Sequence, residues 1–147
     1  MIMCFQHLSR KQAEQLRHER WPAAMLKRYL EIESRRSGAC SYGEKRWLTV
    51  AAMLAYCDKG LYLLDEPTAG VDVQYRHLIW GLIKDARARG RSIVVSSHLL
   101  DEIASNVDYF YFIQKGSAER FQSMKDFLDS YESNSPDEAF IKATVGL

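Results

Sequence analysis

The chain has 147 residues, 47% hydrophobic, 12% aromatic and 27% charged, a composition that suits one ordinary globular domain and excludes a disordered or fibrous chain. No run approaches the roughly eighteen consecutive apolar residues of a membrane span, and the opening MIMCFQHLSRK turns polar too early for a signal peptide, so a cytoplasmic chain is expected. The net charge of +1 conceals an asymmetry: residues 1–47 hold ten Lys/Arg against five Asp/Glu, and the remainder is net acidic. The basic part reads as a solvated helix surface, and no nucleic acid is expected, because no pattern of stacking aromatics accompanies the charge. Cys4, Cys40 and Cys57 form an odd set with no C-x-x-C pair, which indicates neither a disulfide framework nor a zinc site.

From Ser9 to about Ser34 the apolar spacing predicts helix, opened by a Ser9-x-x-Gln12 capping box and interrupted at Pro22 into two shorter helices. Arg35 to Gly43 reads as a loop, and a helix from about Glu44 to Cys57 places Trp47, Val50, Ala51, Leu54 and Ala55 on one side. Leu61–Leu64 then suits a buried strand, closed by Asp65-Glu66-Pro67. The next helix has Tyr75, Leu78, Ile79, Leu82, Ile83 and Ala86 at three-and-four spacing, with Asp72 as its N-cap and Gly90 as its stop. Ser92–Ser96 is a second buried strand that completes a β-α-β unit with parallel strands and a right-handed crossover. A short helix over Leu99–Asn106 leads to a third strand, Tyr109–Ile113, whose aromatics suit a strand between two packed layers. Two helix starts follow, Ser123-x-x-Asp126 and Ser135-Pro136-Asp137-Glu138.

In open parallel sheets, functional groups gather beyond the carboxyl ends of the strands. One end here carries Asp65 and Glu66, and the other carries His98 past Ser96-Ser97. An Asp at such a position can hold Mg²⁺, an adjacent Glu can take a proton from an attacking water, and a His can hydrogen-bond a transferring phosphate. Asp-Glu-Pro after a strand is more often an exposed turn, and Ser41-x-x-Glu44 is also a plain capping box. Their order along the chain is more specific than any one of them.

The string CSYGEKRW at a helix start, then LYLLDEPTAGVD, then SSH, resembles the nucleotide-binding domain of ATP-binding cassette proteins over nearly the whole chain. The resemblance implies an α/β fold, part of a P-loop NTPase (RecA-like) parallel sheet preceded by a helical subdomain, with residues 1–57 as the helical subdomain and 58–147 as part of the catalytic core. LYLLDE resembles the Walker B strand, which implies Asp65 for Mg²⁺ and Glu66 as catalytic base. AGVD resembles the D-loop, with Asp72 facing a partner domain, and His98 matches the switch histidine. CSYGEKRW stands where the family has its LSGGQ signature, which implies Ser41 and Gly43 toward the γ-phosphate of ATP held by the opposite subunit. Tyr42, Cys40 and Glu44 stand where the family has glycine, leucine and glutamine.

The implied partners are a second nucleotide-binding domain and membrane permease subunits, which would hold the protein at the inner face of the membrane. The 147 residues contain no glycine-rich loop followed by Lys and Ser/Thr and no convincing Q-loop: none of the eight glycines precedes a lysine. The expectation is therefore a later portion of a cassette ATPase that alone hydrolyses ATP negligibly and whose unpaired strand edges favour association. A non-transport member of the superfamily and a catalytically silent module that pairs with an intact ATPase are the alternative readings.

Overall fold

A computed structural model describes residues 21–56 and 60–145, together with Gln15 and Glu19. The Ser9-x-x-Gln12 box and Cys57 lie outside the described residues. Two compact units divide between Ser96 and Ser97.

In the first unit Pro22, with φ −56° and ψ 145°, is the N-cap of helix α1 (Ala23–Glu33), so the predicted interruption falls where proline fixes an extended residue ahead of a new helix. A short 3₁₀ turn, Ser37–Ala39, leads to helix α2 (Tyr42–Tyr56), which starts two residues before the expected Glu44. Trp47, Val50, Ala51, Leu54 and Ala55 are all buried, as the three-and-four spacing requires. Trp47 is fully enclosed, and its ring lies against Tyr29 of α1, which in turn meets Trp21.

Strand β1 (Leu61–Asp65) and strand β2 (Ser92–Ser96) pair in parallel, from Leu61 with Ser92 to Asp65 with Ser96. Helix α3 (Val73–Ala88) connects them, packs on α2, and buries Tyr75, Ile79, Trp80, Leu82, Ile83 and Ala86. It ends as predicted: Gly90, at φ +81°, donates its N–H to the Arg87 carbonyl, while Arg91 reaches back to the Ala86 carbonyl. The strands are not buried on both faces as the apolar runs implied. Tyr62 and Leu64 are buried, whereas Leu61, Leu63 and Val94 are exposed. Side chains alternate across a strand, so one face of this two-stranded sheet stays open.

The second unit comprises helix α4 (Leu100–Asn106), strands β3 (Phe110–Gln114) and β4 (Ser117–Phe121), and helices α5 (Met124–Ser130) and α6 (Pro136–Val145). Strand β3 lies one residue later than expected, and β4, its antiparallel partner, was not signalled by the apolar pattern because only Phe121 of it is buried. The hairpin turns at Lys115 and Gly116, with φ +47° and +80°, the paired left-handed conformation of a two-residue type I′ turn. The aromatic strand faces one layer, not two: Phe110 and Phe112 pack against the enclosed Phe127, while Tyr109, Tyr111 and Ile113 are exposed. Both predicted caps form, since Ser123 accepts from the Asp126 N–H and Ser135 from the Glu138 N–H.

Candidate nucleotide site

At the carboxyl end of the parallel pair, Asp65 and Ser96 are register partners. The Ser96 hydroxyl donates to Asp65 Oδ1 at 2.6 Å and accepts from the Glu66 N–H at 2.9 Å; the Ser96 carbonyl accepts from the same N–H at 3.2 Å. One hydroxyl thus fixes both the metal-type carboxylate and the peptide of its neighbour. Asp65 is exposed, whereas Glu66 is half-buried with Oε2 shielded from solvent. Glu66 has φ +45°, a left-handed conformation unfavourable for a side chain with a Cβ.

Arg46 of α2 spans this turn. Its Nε donates to the Pro67 carbonyl at 3.0 Å, and one terminal nitrogen donates to the Asp65 and Glu66 carbonyls at 3.1 and 2.6 Å. A left-handed non-glycine residue costs about 1–3 kcal/mol, and a hydrogen bond from a charged group contributes about 1.5–3 kcal/mol where it is dry. Three such bonds to consecutive carbonyls, discounted for partial exposure, still outweigh the strain of one residue.

The start of α2 is built from a reciprocal capping box. The Ser41 hydroxyl accepts from the Glu44 N–H at 3.1 Å, and the Glu44 carboxylate accepts from the Ser41 N–H at 2.8 Å. The Ser41 amide and the Arg35 guanidinium, both donating to Glu44, hold its carboxyl below the usual carboxylate range. Gly43 is buried against Tyr75 of α3: a Cβ placed on it would lie 2.8 Å from the Tyr75 ring. The aromatic ring of Tyr42, the residue that replaces a signature glycine, lies over Gly70, where a Cβ would be 3.4 Å from it. Asp72 is the N-cap of α3, accepting from the Tyr75 N–H at 3.0 Å. Arg28 of α1 donates to the Tyr75 hydroxyl at 3.0 Å and lies 5.0 Å from its ring centroid.

The expected site residues of the first unit therefore fall into two linked clusters. Asp65 and Glu66 meet Ser96 and Arg46 at the strand end; Gly43 and Asp72 meet Tyr75, and Ser41, bonded to Glu44, stands two residues before Gly43. His98 is exposed, just ahead of α4 in the second unit. Arg46, Ser96 and Tyr75 were not singled out by motif. Their roles depend on contacts across 19 to 47 residues of chain, which no local pattern encodes.

Hard oxygen donors at a strand end suit Mg²⁺ better than a soft metal. Among the described residues no group of three or more His, Cys, Asp or Glu could hold a metal ion. Asp65 offers exposed carboxylate oxygen there, and a hard cation at this point would have to take its remaining ligands from water and a bound phosphate.

The family model described as AAA domain, putative AbiEii toxin, Type IV TA system matches residues 26–104, more than half of the chain. Protein McbF of Escherichia coli is 40% identical over 131 residues, covering 88% of this chain and 53% of that protein. The Nod factor export ATP-binding protein I of Burkholderia orbicola is 35% identical over 96 residues, covering 63% of this chain and 31% of the relative. The energy-coupling factor transporter ATP-binding protein EcfA2 of Lactococcus lactis is 29% identical over 136 residues, with 88% and 46% covered. The chain thus spans about half or less of the length of these relatives.

A solved structure of the ATP-binding subunit of an ABC transporter superposes with a TM-score of 0.69 at 23% identity, over 92% of this chain and 56% of the other. A nucleotide-free ATP-binding cassette superposes with a TM-score of 0.62 at 18% identity, over 91% and 57%. These two likenesses show the fold alone. The family model and the sequence relatives make the assignment: the chain belongs to the ATP-binding cassette family of P-loop NTPase domains.

Proposed function

We propose that this chain supplies the signature, Walker B, D-loop and switch-histidine portion of a cassette that couples ATP binding and hydrolysis to transport across a membrane. The observation that carries the reading is the strand end itself: exposed Asp65 held by Ser96, with Glu66 beside it on a turn clasped by the signature helix. Residues 1–57 act as the helical subdomain and 58–147 as part of the catalytic core.

Mg²⁺ bound with ATP would neutralise developing phosphate charge. Asp65 is the residue that holds it, with Ser96 fixing the carboxylate. Glu66 orients the attacking water and takes its proton, which requires its carboxylate form. His98 donates a hydrogen bond to the γ-phosphate. Ser41 and the start of α2 form an anion site for nucleotide held by a second cassette, because a helix N-terminus carries a positive dipole end. Asp72, at the start of α3, faces that second cassette. Permease subunits hold the pair peripherally at the inner face of the membrane.

Catalysis of this type is positioning and charge stabilisation, so carboxylates without a phosphate cradle have little to act on. The 147-residue chain alone is therefore expected to show no micromolar binding of Mg-ATP by calorimetric titration and negligible hydrolysis. Micromolar binding would overturn that expectation. In a complete cassette carrying these residues, Glu66→Gln should retain nucleotide binding while turnover falls by about 10²–10⁴-fold, the usual contribution of a general base. Retained turnover would remove the base role from Glu66.

A further inference from the structure

We propose that Arg46 is a positioning residue for the catalytic base: it ties the signature helix to the left-handed turn that aims Glu66, so that a displacement of that helix reaches the base through one side chain. This rests on the reading of Glu66 as the base.

The geometry is specific to a guanidinium. The carbonyls of Asp65, Glu66 and Pro67 are three consecutive acceptors on the outside of a turn, and two nitrogens of Arg46 reach all three, at 3.1, 2.6 and 3.0 Å. A planar fork with fixed donor directions can do this, whereas an ammonium on a flexible stem is a single point charge. The turn needs such a tie because Glu66, at φ +45°, is left-handed without being glycine. From the sheet side, its N–H is held by the Ser96 hydroxyl and carbonyl. The Glu66 peptide flanks are thus fixed on one side by β2 and on the other by α2. Beyond it, the Glu66 carbonyl also accepts from the Ala69 N–H at 3.2 Å, and the Thr68 carbonyl accepts from the Val71 N–H at 3.3 Å. The clamp therefore bears on the whole segment from the Walker B strand to the D-loop.

Arg46 lies on the helix that Ser41 precedes and that contains Gly43, two turns or fewer from the anion site at its start. A helix moves as a rigid rod over so short a span, so occupancy at its N-terminus and the orientation of Glu66 are mechanically joined. The three hydrogen bonds of Arg46 go to backbone carbonyls, and it takes no part in the chemistry.

The test compares Arg46→Met and Arg46→Lys with the parent in a complete cassette, reading steady-state turnover, Mg-ATP affinity and amide hydrogen exchange. Arg46→Met should lower kcat by about tenfold or more while the Kd for Mg-ATP stays within about twofold, the signature of a displaced catalytic group rather than a lost binding group. Exchange at the Ala69 and Val71 amides should quicken by about tenfold or more as local opening becomes easier, with the amides in the middle of α2 unchanged. Arg46→Lys, which keeps the charge and the stem and guards against a Met variant that fails to fold, should fall between the two in both readouts. Unchanged kcat in either folded variant, or unchanged exchange at Ala69 and Val71, would overturn the proposal. Glu66→Gln run in parallel separates the layers. Its retained turnover would remove Glu66 as the base, while quickened exchange in the Arg46 variants would still establish the clamp.

Discussion

Glu44 departs from the family pattern by a charge, and its surroundings explain the departure. Where the signature has glutamine, a carboxylate here accepts from the Ser41 amide and pairs with Arg35. A charged acceptor at the first turn of a helix is favoured by the helix dipole and by the charge-assisted bond. Its folded-state pKa is depressed by the Ser41 amide first and Arg35 second, so the unfolded chain binds the proton more readily than the folded one. The stabilisation is therefore fully present above the unfolded value near 4.5 and is lost as pH falls through the lower, folded one. Urea midpoints of the parent and Glu44→Gln should differ at pH 7, with the parent higher, and converge as pH drops below about 4. A constant gap down to acid pH would mean that the charge of Glu44 contributes nothing. His98 and Asp65, by contrast, gain their interest from the company that the motif order predicts for them.

At the scale of elements, Gly43 is required by packing whatever else it does. A Cβ there would sit 2.8 Å from Cδ2, 3.0 Å from Cγ and 3.2 Å from Cβ of Tyr75, a buried residue whose hydroxyl is held by Arg28 and whose backbone N–H is held by the N-cap of α3. Alanine favours a helix over glycine by about 1 kcal/mol, but overpacking a held contact costs about 1–3 kcal/mol. Gly43→Ala should therefore destabilise the nucleotide-free protein by up to about 2 kcal/mol, read as a lower urea midpoint at unchanged m-value. A neutral or stabilising substitution would show that Tyr75 yields freely. The helices were the legible part of the sequence: the 3.6-residue periodicity of α2 and α3, the Pro22 break, the Asp72 cap and the two terminal Ser caps are local rules with local outcomes. The strands were legible as runs but not as surfaces. An apolar tetrapeptide such as Leu61–Leu64 looks the same whether one or both faces are covered, and Ser117-Ala-Glu-Arg-Phe121 carries too little apolar character to announce β4. Its signal was the Lys115-Gly116 turn. Asp65 and Glu66 could be read from motif order, whereas Ser96 and Arg46, which hold them, could not, because each acts on a segment remote along the chain.

For the whole molecule, the open face of the parallel pair sets how the isolated 147-residue chain should behave. Leu61, Leu63 and Val94 lie on it, with Leu63 71% exposed. Among the described residues β1 and β2 each pair with one neighbour only, so each also leaves a backbone edge. Covering an aliphatic side chain contributes about 1.5–3 kcal/mol, and each hydrogen bond formed at a paired edge adds about 0.5–1.5 kcal/mol net. Association costs about 4–15 kcal/mol in lost freedom. Six partly exposed aliphatic side chains from two copies gain an amount of the same order, so the face should drive self-association that is weak, concentration-dependent and reversible on dilution. Light scattering of the isolated chain should give a mass that rises above that of one chain as concentration increases. Leu63→Glu should shift this rise to higher concentration, because pairing two copies would then bury like charges on facing strands. A mass fixed at one chain across the range would show that the open face does not self-associate. An unchanged rise in Leu63→Glu would transfer the association to the other exposed strand, where Tyr111 and Ile113 are 56% and 75% exposed.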